Sequence, residues 1–215
     1  MSAGAARFRH IVVEGPIGAG KTSLARRLGA AGDARLLLEQ PDANPFLARF
    51  YHEPERFALP TQLFFLFQRI AQLAELRQPD LFHGRVIGDF LLQKDPLFAR
   101  LTLADDELKL YEQIYAQLAP QAPVPDLVIY LQAPVEVLLE RIARRGKPAE
   151  DAIGEDYLGR LTESYLRFFR GFDAAPLLVV NTESLNPVDR EEDFALLVTR
   201  IERMRGRREY FSLAA

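Results

Sequence analysis

Gly15-Pro16-Ile17-Gly18-Ala19-Gly20-Lys21-Thr22 fits the pattern G-x-x-x-x-G-K-[ST] without a mismatch. A glycine-rich turn can match so short a string by chance, so the flanking segments decide its meaning. Phe8 to Glu14 (FRHIVVE) reads as a strand rich in β-branched residues. Ser23-Leu24-Ala25-Arg26-Arg27-Leu28 reads as a helix. Strand, motif and helix in register make a phosphate-binding loop. Its glycines let backbone N–H groups converge on phosphate oxygens, and the following helix adds its positive N-terminus. Gly15, Gly18, Ala19, Gly20 and Ser23 form the cradle, Lys21 is placed for the β- and γ-phosphates, and Thr22 for Mg²⁺. The loop implies a triphosphate ligand and leaves the reaction open.

Outward from the loop, short apolar runs alternate with longer helical patterns. Residues 36–38, 85–88, 126–131 and 177–180 read as four further strands. Each is a continuous apolar run, as parallel strands covered on both faces require. Helical patterns fall at about 20–31, 55–77, 105–118, 134–145, 155–169 and 190–205. The alternation predicts an α/β fold with a five-stranded parallel sheet flanked by helices, and ligands at the carboxyl ends of its strands. Residues 1–215 show no repeat and no Pro/Gly/Ser linker, so one domain is expected.

Composition narrows the function classes. With 48% hydrophobic and 27% charged residues the chain has a globular balance. It has no cysteine, which excludes disulfides, thiolate metal sites and cysteine nucleophiles and fits a cytoplasmic setting. A net charge of -3 disfavours a nucleic-acid partner. No apolar run approaches a membrane span, and Met1 to Arg7 lacks the apolar core of a signal peptide.

Glu39 follows Leu36-Leu37-Leu38, and Asp89 follows Val86-Ile87-Gly88, so both acids lie at strand ends on the edge that carries the loop. A single such acid is more often a solvated loop residue. Two beside a phosphate-binding loop point to positioning Mg²⁺ or to receiving a proton from an attacking hydroxyl. The acidic segment Glu39-Gln40-Pro41-Asp42 favours a hydroxyl acceptor over an already anionic phosphate.

The helix at 55–77 carries Phe57, Phe64, Phe65 and Phe67 and is apolar nearly all round, so it is expected to be largely buried. Gln62 and Arg69 share one of its faces, and Asp95 is a candidate partner for Arg69. Amide, guanidinium and carboxylate suit a nucleobase edge, with phenylalanines able to stack on it. A purely structural polar set fits the composition equally well. Arg141, Arg144, Arg145 and Lys147 end a later helix. They read either as cations complementing the helix dipole or as a lid, at about 141–154, that closes over the γ-phosphate. Asp151-Ala152-Ile153-Gly154 matches a GTPase string, but no apolar strand precedes it and no N-K-x-D occurs, so it carries no weight.

Together these stretches resemble the deoxynucleoside kinase family, especially the bacterial deoxyadenosine/deoxyguanosine kinases. The resemblance rests on EGPIGAGKTSLA (14–25), LLLEQPDANPFLARFY (36–51), TQLFFLFQR (61–69), VIGDFLLQKDPLFA (86–99), VIYLQAPVEVLLERIARRGKPAED (128–151) and EDYLGRLTESY (155–165). It implies a P-loop NTPase fold of the nucleoside-monophosphate-kinase type, ATP and Mg²⁺ as cofactors, and a homodimer. It also implies transfer of the γ-phosphate to the 5′-hydroxyl of a deoxynucleoside, a purine or deoxycytidine. By the resemblance Glu39 is the general base, Gln62, Arg69 and Asp95 read the base, and Tyr51 and Glu150 hold the sugar 3′-hydroxyl. Arg141, Arg145 and Lys147 are the lid cations, and Asn181 to Leu185, with Glu183, lies under the donor adenine. One position departs: where many members have an arginine after the strand-three acid, this chain has Phe90, leaving Asp89 as the candidate for organising Mg²⁺. A nucleoside monophosphate kinase resembling thymidylate kinase, or a nucleotide-switched regulatory module, remains an alternative at this level.

Overall fold

The computed structural model describes residues 7–76 and 84–213. The first six residues, and Arg77 at the end of the expected aromatic helix, lie outside the described residues. The sheet has six parallel strands in the order β2-β3-β1-β4-β5-β6. They are β1 (His10–Glu14), β2 (Arg35–Leu37), β3 (Val86–Gly88), β4 (Leu127–Gln132), β5 (Leu177–Asn181) and β6 (Arg208–Phe211). Five were expected. The sixth, Arg-Glu-Tyr-Phe, is short and half polar because it covers one edge of the sheet, pairing only with β5, from Leu177↔Arg208 to Val180↔Phe211. An edge strand buries less than a central one, so its sequence carries no apolar run.

The helices are α1 (Lys21–Gly32), α2 (Leu47–His52), α3 (Pro54–Glu75), α4 (Asp95–Thr102), α5 (Asp105–Leu118), α6 (Val135–Arg145), α7 (Glu155–Gly171) and α8 (Glu191–Arg203). Helix α2 was not anticipated; at six residues it is too short for a clear helical period. Helix α3 begins at Pro54, whose fixed φ suits a first helical position and whose missing N–H would have no partner there. It buries Phe57, Gln62, Phe65, Leu66 and Arg69, whereas Phe67 stands 53% exposed, so it is less completely covered than its composition suggests.

Central strands β1, β4 and β5 are buried almost throughout, and Leu24 of α1, Leu138 of α6 and Leu161 and Tyr165 of α7 pack into the same core. The chain runs from β1 outward to β2, returns to β3 beside β1, and then crosses to β4 on the other side. The reversal leaves a crevice at the carboxyl ends of β1, β3 and β4, where doubly wound sheets bind ligands.

Candidate active site

The phosphate-binding loop fills this crevice. Gly18 (φ 86°) and Gly20 (φ 92°) adopt the left-handed region. A Cβ on Gly18 would lie 2.7 Å from the carbonyl oxygen of Leu138, so α6 packs directly on the bare backbone. Gly20 precedes α1 without a side-chain cap, leaving the first-turn N–H groups for a ligand. Lys21 folds over the loop, its Nζ donating to Pro16 O at 3.1 Å, and burial draws its pKa down. Gly15 supplies the turn, but its N–H is already taken, donating to Glu14 Oε1 at 2.9 Å.

Two cavities meet at the loop. One, of about 250 Å³, lies between Gly18–Gly20, the end of α6 and the segment after β5. Arg141 donates there to Thr182 Oγ1 at 3.0 Å and to Thr182 O at 2.6 Å, and Arg144 lies 3.7 Å from Asp189. Thr182 and Leu185 to Asp189 line it, while Glu183 points to solvent and does not. The buried Thr182, in the same 181–185 segment, takes the inward position.

The other cavity, of about 170 Å³, runs from the loop toward α3, and Ile17, Lys21, Thr22, Glu39, Phe65 and Arg69 are among the residues that line it. Tyr51, Gln62, Asp89, Lys94, Phe98, Arg145 and Glu150 line it as well, so Arg145 borders both cavities. Arg145 donates to Glu150 at 2.5 Å, and Lys147 reaches back to Asp42 at 3.0 Å, tying the basic loop to the segment after β2. Lys147 lines neither cavity. Burial raises the Tyr51 hydroxyl well above the usual phenol range, with Tyr157 and Glu150 adding to it, so Tyr51 is a neutral donor.

Arg69 is the hub of this cavity. Its Nη1 donates to Asp95 Oδ1 at 2.6 Å, its Nε to Glu39 Oε1 at 2.8 Å, and its Nη2 to the same Glu39 oxygen. The pairing with Asp95 suggested by the sequence is present; the pairing with Glu39 was not foreseen. Burial opposes the guanidinium charge, but Asp95 and Glu39 outweigh it and raise its pKa. Burial alone would raise Glu39, but Arg69, helped by Lys94 and Lys21, holds it down at about 2. Asp95 does not line the cavity directly; its Oδ2 is buried with no hydrogen-bond partner, as is the Oγ1 of the cavity-lining Thr61. Buried polar atoms without partners are costly, and each calls for a group such as water, an ion or a ligand that completes its hydrogen bonding.

Asp89 joins the two strand-end acids to the loop. Its Oδ2 accepts the Thr22 hydroxyl at 2.5 Å and its Oδ1 the N–H of Glu39 at 2.7 Å. A hydroxyl and a carboxylate side by side form an oxygen-only donor set that suits Mg²⁺ carrying phosphate and water on its other positions. Among the described residues no group of three His, Cys, Asp or Glu could hold a metal ion.

Thr61, Lys94 and Phe98 line the acceptor cavity although the sequence did not assign them. Phe98 enters through α4 and Lys94 through the turn before it.

Residues 11–204 match the Deoxynucleoside kinase family. This chain belongs to that family. It is 33% identical over 199 residues to a deoxyguanosine kinase of Bacillus subtilis, covering 90% of this chain and 96% of the relative. It is 29% identical over 201 residues to a deoxyadenosine/deoxycytidine kinase of the same organism, covering 89% and 90%. Its fold is similar to that of M. mycoides deoxyadenosine kinase solved with dCMP and dCDP, at a TM-score of 0.79 and 23% identity over 90% of this chain and 99% of that one. This deoxynucleoside kinase is thus an enzyme, a phosphotransferase, rather than a regulatory module. Among the described residues no helix is long and apolar enough to cross a membrane.

Proposed function

We propose that the enzyme transfers the γ-phosphate of ATP to the 5′-hydroxyl of a purine deoxynucleoside, deoxyadenosine or deoxyguanosine, with deoxycytidine as a further acceptor. The observation that carries this reading is the position of Glu39, which lines one cavity with Lys21 and Thr22 on one side and Gln62 and Arg69 on the other. A nucleoside with its base against Gln62, Arg69 and Asp95 would carry its 5′-hydroxyl toward Glu39. Tyr51 and Glu150 lie at the side of the same cavity, where a 3′-hydroxyl can bond to both. Relatives that act on deoxyguanosine, deoxyadenosine and deoxycytidine support the choice of acceptor.

In the reaction the hydroxyl oxygen attacks the γ-phosphorus in line and the bond to the β-phosphate oxygen breaks. The proton passes to the Glu39 carboxylate. A carboxylate held at about 2 is a weak base, but phosphoryl transfer through a loose transition state asks little of the base before the bond is nearly made. Arg69 engaging a nucleobase shares its donors and frees Glu39 to accept the hydroxyl. Lys21 and the lid residues Arg141 and Arg145 bear the charge that moves onto the departing diphosphate. Mg²⁺, held by Thr22 and Asp89 with the phosphates, would supply further neutralisation of the β- and γ-oxygens. The adenine would occupy the cavity between Arg141 and the segment after β5. A homodimeric, cytoplasmic enzyme without a nucleic-acid partner is part of the proposal, supported by family membership and the net charge of -3.

The test is a panel of the four deoxynucleosides and their 5′-monophosphates as acceptors with ATP and Mg²⁺. Monophosphate formation from deoxyadenosine or deoxyguanosine is expected. Activity confined to dAMP or dTMP would overturn the reading in favour of a monophosphate kinase.

A further inference from the structure

Lys94 is a buried lysine whose Nζ has no hydrogen-bond acceptor among the described residues. It ends the 3-10 turn Leu92–Lys94 just before α4, its side chain is 2% exposed, and it lines the acceptor cavity with Lys21, Glu39 and Asp89. Its nearest carboxylate is Glu14, whose Oε1 lies 3.6 Å from Nζ, beyond hydrogen-bonding distance. Glu14 is already occupied: Oε1 accepts Gly15 N–H and the Tyr165 hydroxyl, each at 2.9 Å, and Oε2 accepts Leu91 N–H at 2.8 Å. The Phe98 ring also lies close, 4.8 Å from Nζ. An ammonium has three donors, and those of Lys94 are left for the cavity that its side chain lines. Serving only as a counter-ion to Glu14 would favour a close, bonded pair, which is not the geometry present.

A second observation concerns the same segment. Phe90, next to Asp89, packs into an apolar cluster with Leu37, Leu66 and Tyr111 and sends no cation toward the cavity. Positive charge enters from this segment through Lys94 instead. The Lys94 charge is felt at both Glu39 and Lys21, lowering the pKa of each.

We propose that Lys94 is a substrate-facing cation of the acceptor side, holding the oxygens of the phosphoryl group as it arrives on the sugar and the monophosphate that results. This rests on the kinase reading above. Lys94 exchanges no proton: the hydroxyl proton goes to Glu39, the new P–O bond forms at the sugar oxygen, and the electron pair of the broken P–O bond leaves with the diphosphate. Its donors are fixed before substrate arrives, the condition under which such groups stabilise developing charge most.

The experiment compares wild type, K94Q and K94R. Deoxyadenosine, deoxyguanosine and their 5′-monophosphates are titrated calorimetrically in saturating ADP, alongside steady-state kinetics and thermal melts. K94Q is expected to bind the nucleosides within about threefold of wild type. It is expected to lose more than about tenfold in monophosphate affinity and roughly 10²–10³-fold in kcat, the scale for removing one preorganised donor. K94R should recover part of both losses, and it remains the informative variant if K94Q does not fold. Unchanged monophosphate affinity and kcat in K94Q would overturn the proposal, and so would equal losses for nucleoside and monophosphate with a lowered Tm, which mark a structural role. If wild type itself phosphorylates no deoxynucleoside, the underlying kinase reading fails and not the assignment of Lys94 alone.

Discussion

Arg69 holds Glu39 through Nε, 2.8 Å from Oε1, while its other arm holds Asp95 at 2.6 Å. One guanidinium therefore ties the acid proposed to receive the proton to the acid proposed to read the base. Occupancy at the base end and reactivity at the hydroxyl end share a single side chain.

Removing that side chain leaves two largely buried carboxylates uncompensated. Arg69→Met should cost about 3–5 kcal/mol, the range for breaking a buried ion pair by deleting one partner. Calorimetry should show Tm lower by on the order of 10 °C in a chain of this size. The double variant Arg69→Met with Asp95→Asn should recover part of the loss. A Tm unchanged in Arg69→Met would mean that the pairs contribute nothing to the fold.

The same link fixes a pH dependence. Glu39 is depressed from its ordinary 4.5 to about 2 in the free protein. A depressed carboxylate contributes stability that is present above its unfolded pKa and is lost as pH falls through the folded value. Glu39 thus stays ionised in the free enzyme throughout the range in which the protein can be assayed. The kcat/KM profile for the nucleoside should show no acid limb from Glu39 near 4.5, because that profile reports the free enzyme. Nucleobase binding that shares Arg69 should move any Glu39 limb in kcat to higher pH. A limb near pH 6 in kcat/KM that disappears in Glu39→Asp would contradict the clamp.

Asp89 contacts both Thr22 and the backbone of Glu39. Asp89→Asn should raise the Mg²⁺ concentration giving half-maximal rate by roughly 10–100-fold, the scale of losing a ligand or its orienting partner. Chelation of Mg²⁺ should abolish turnover in wild type. A variant with the wild-type Mg²⁺ dependence would remove Asp89 from the metal's surroundings.

Much of this was legible in the chain because the signals are local. Gly18 and Gly20 carry backbone requirements that few other residues meet, and Glu39 and Asp89 stand directly after apolar strands. Gln62 and Arg69 stand seven apart on one long helix, which places them on one face. What stayed hidden is either short or non-local. Strand β6 has four residues and a polar half, and α2 has six residues, so neither shows a usable period. The Arg69–Glu39 pair spans thirty positions and two elements, and only the packing of α3 against the end of β2 creates it. Within the segment 181–185, nothing in the sequence marks Thr182 as the side chain that turns inward.

The claim that Glu39 receives the hydroxyl proton is tested most directly by Glu39→Gln, in single-turnover assays with ATP, Mg²⁺ and the best deoxynucleoside, alongside titration with a non-hydrolysable ATP analogue. The account predicts a loss of about 10²–10⁴-fold in the chemical step, the range for a positioned acid–base group, with analogue affinity unchanged. A chemical step within about threefold of wild type would contradict it.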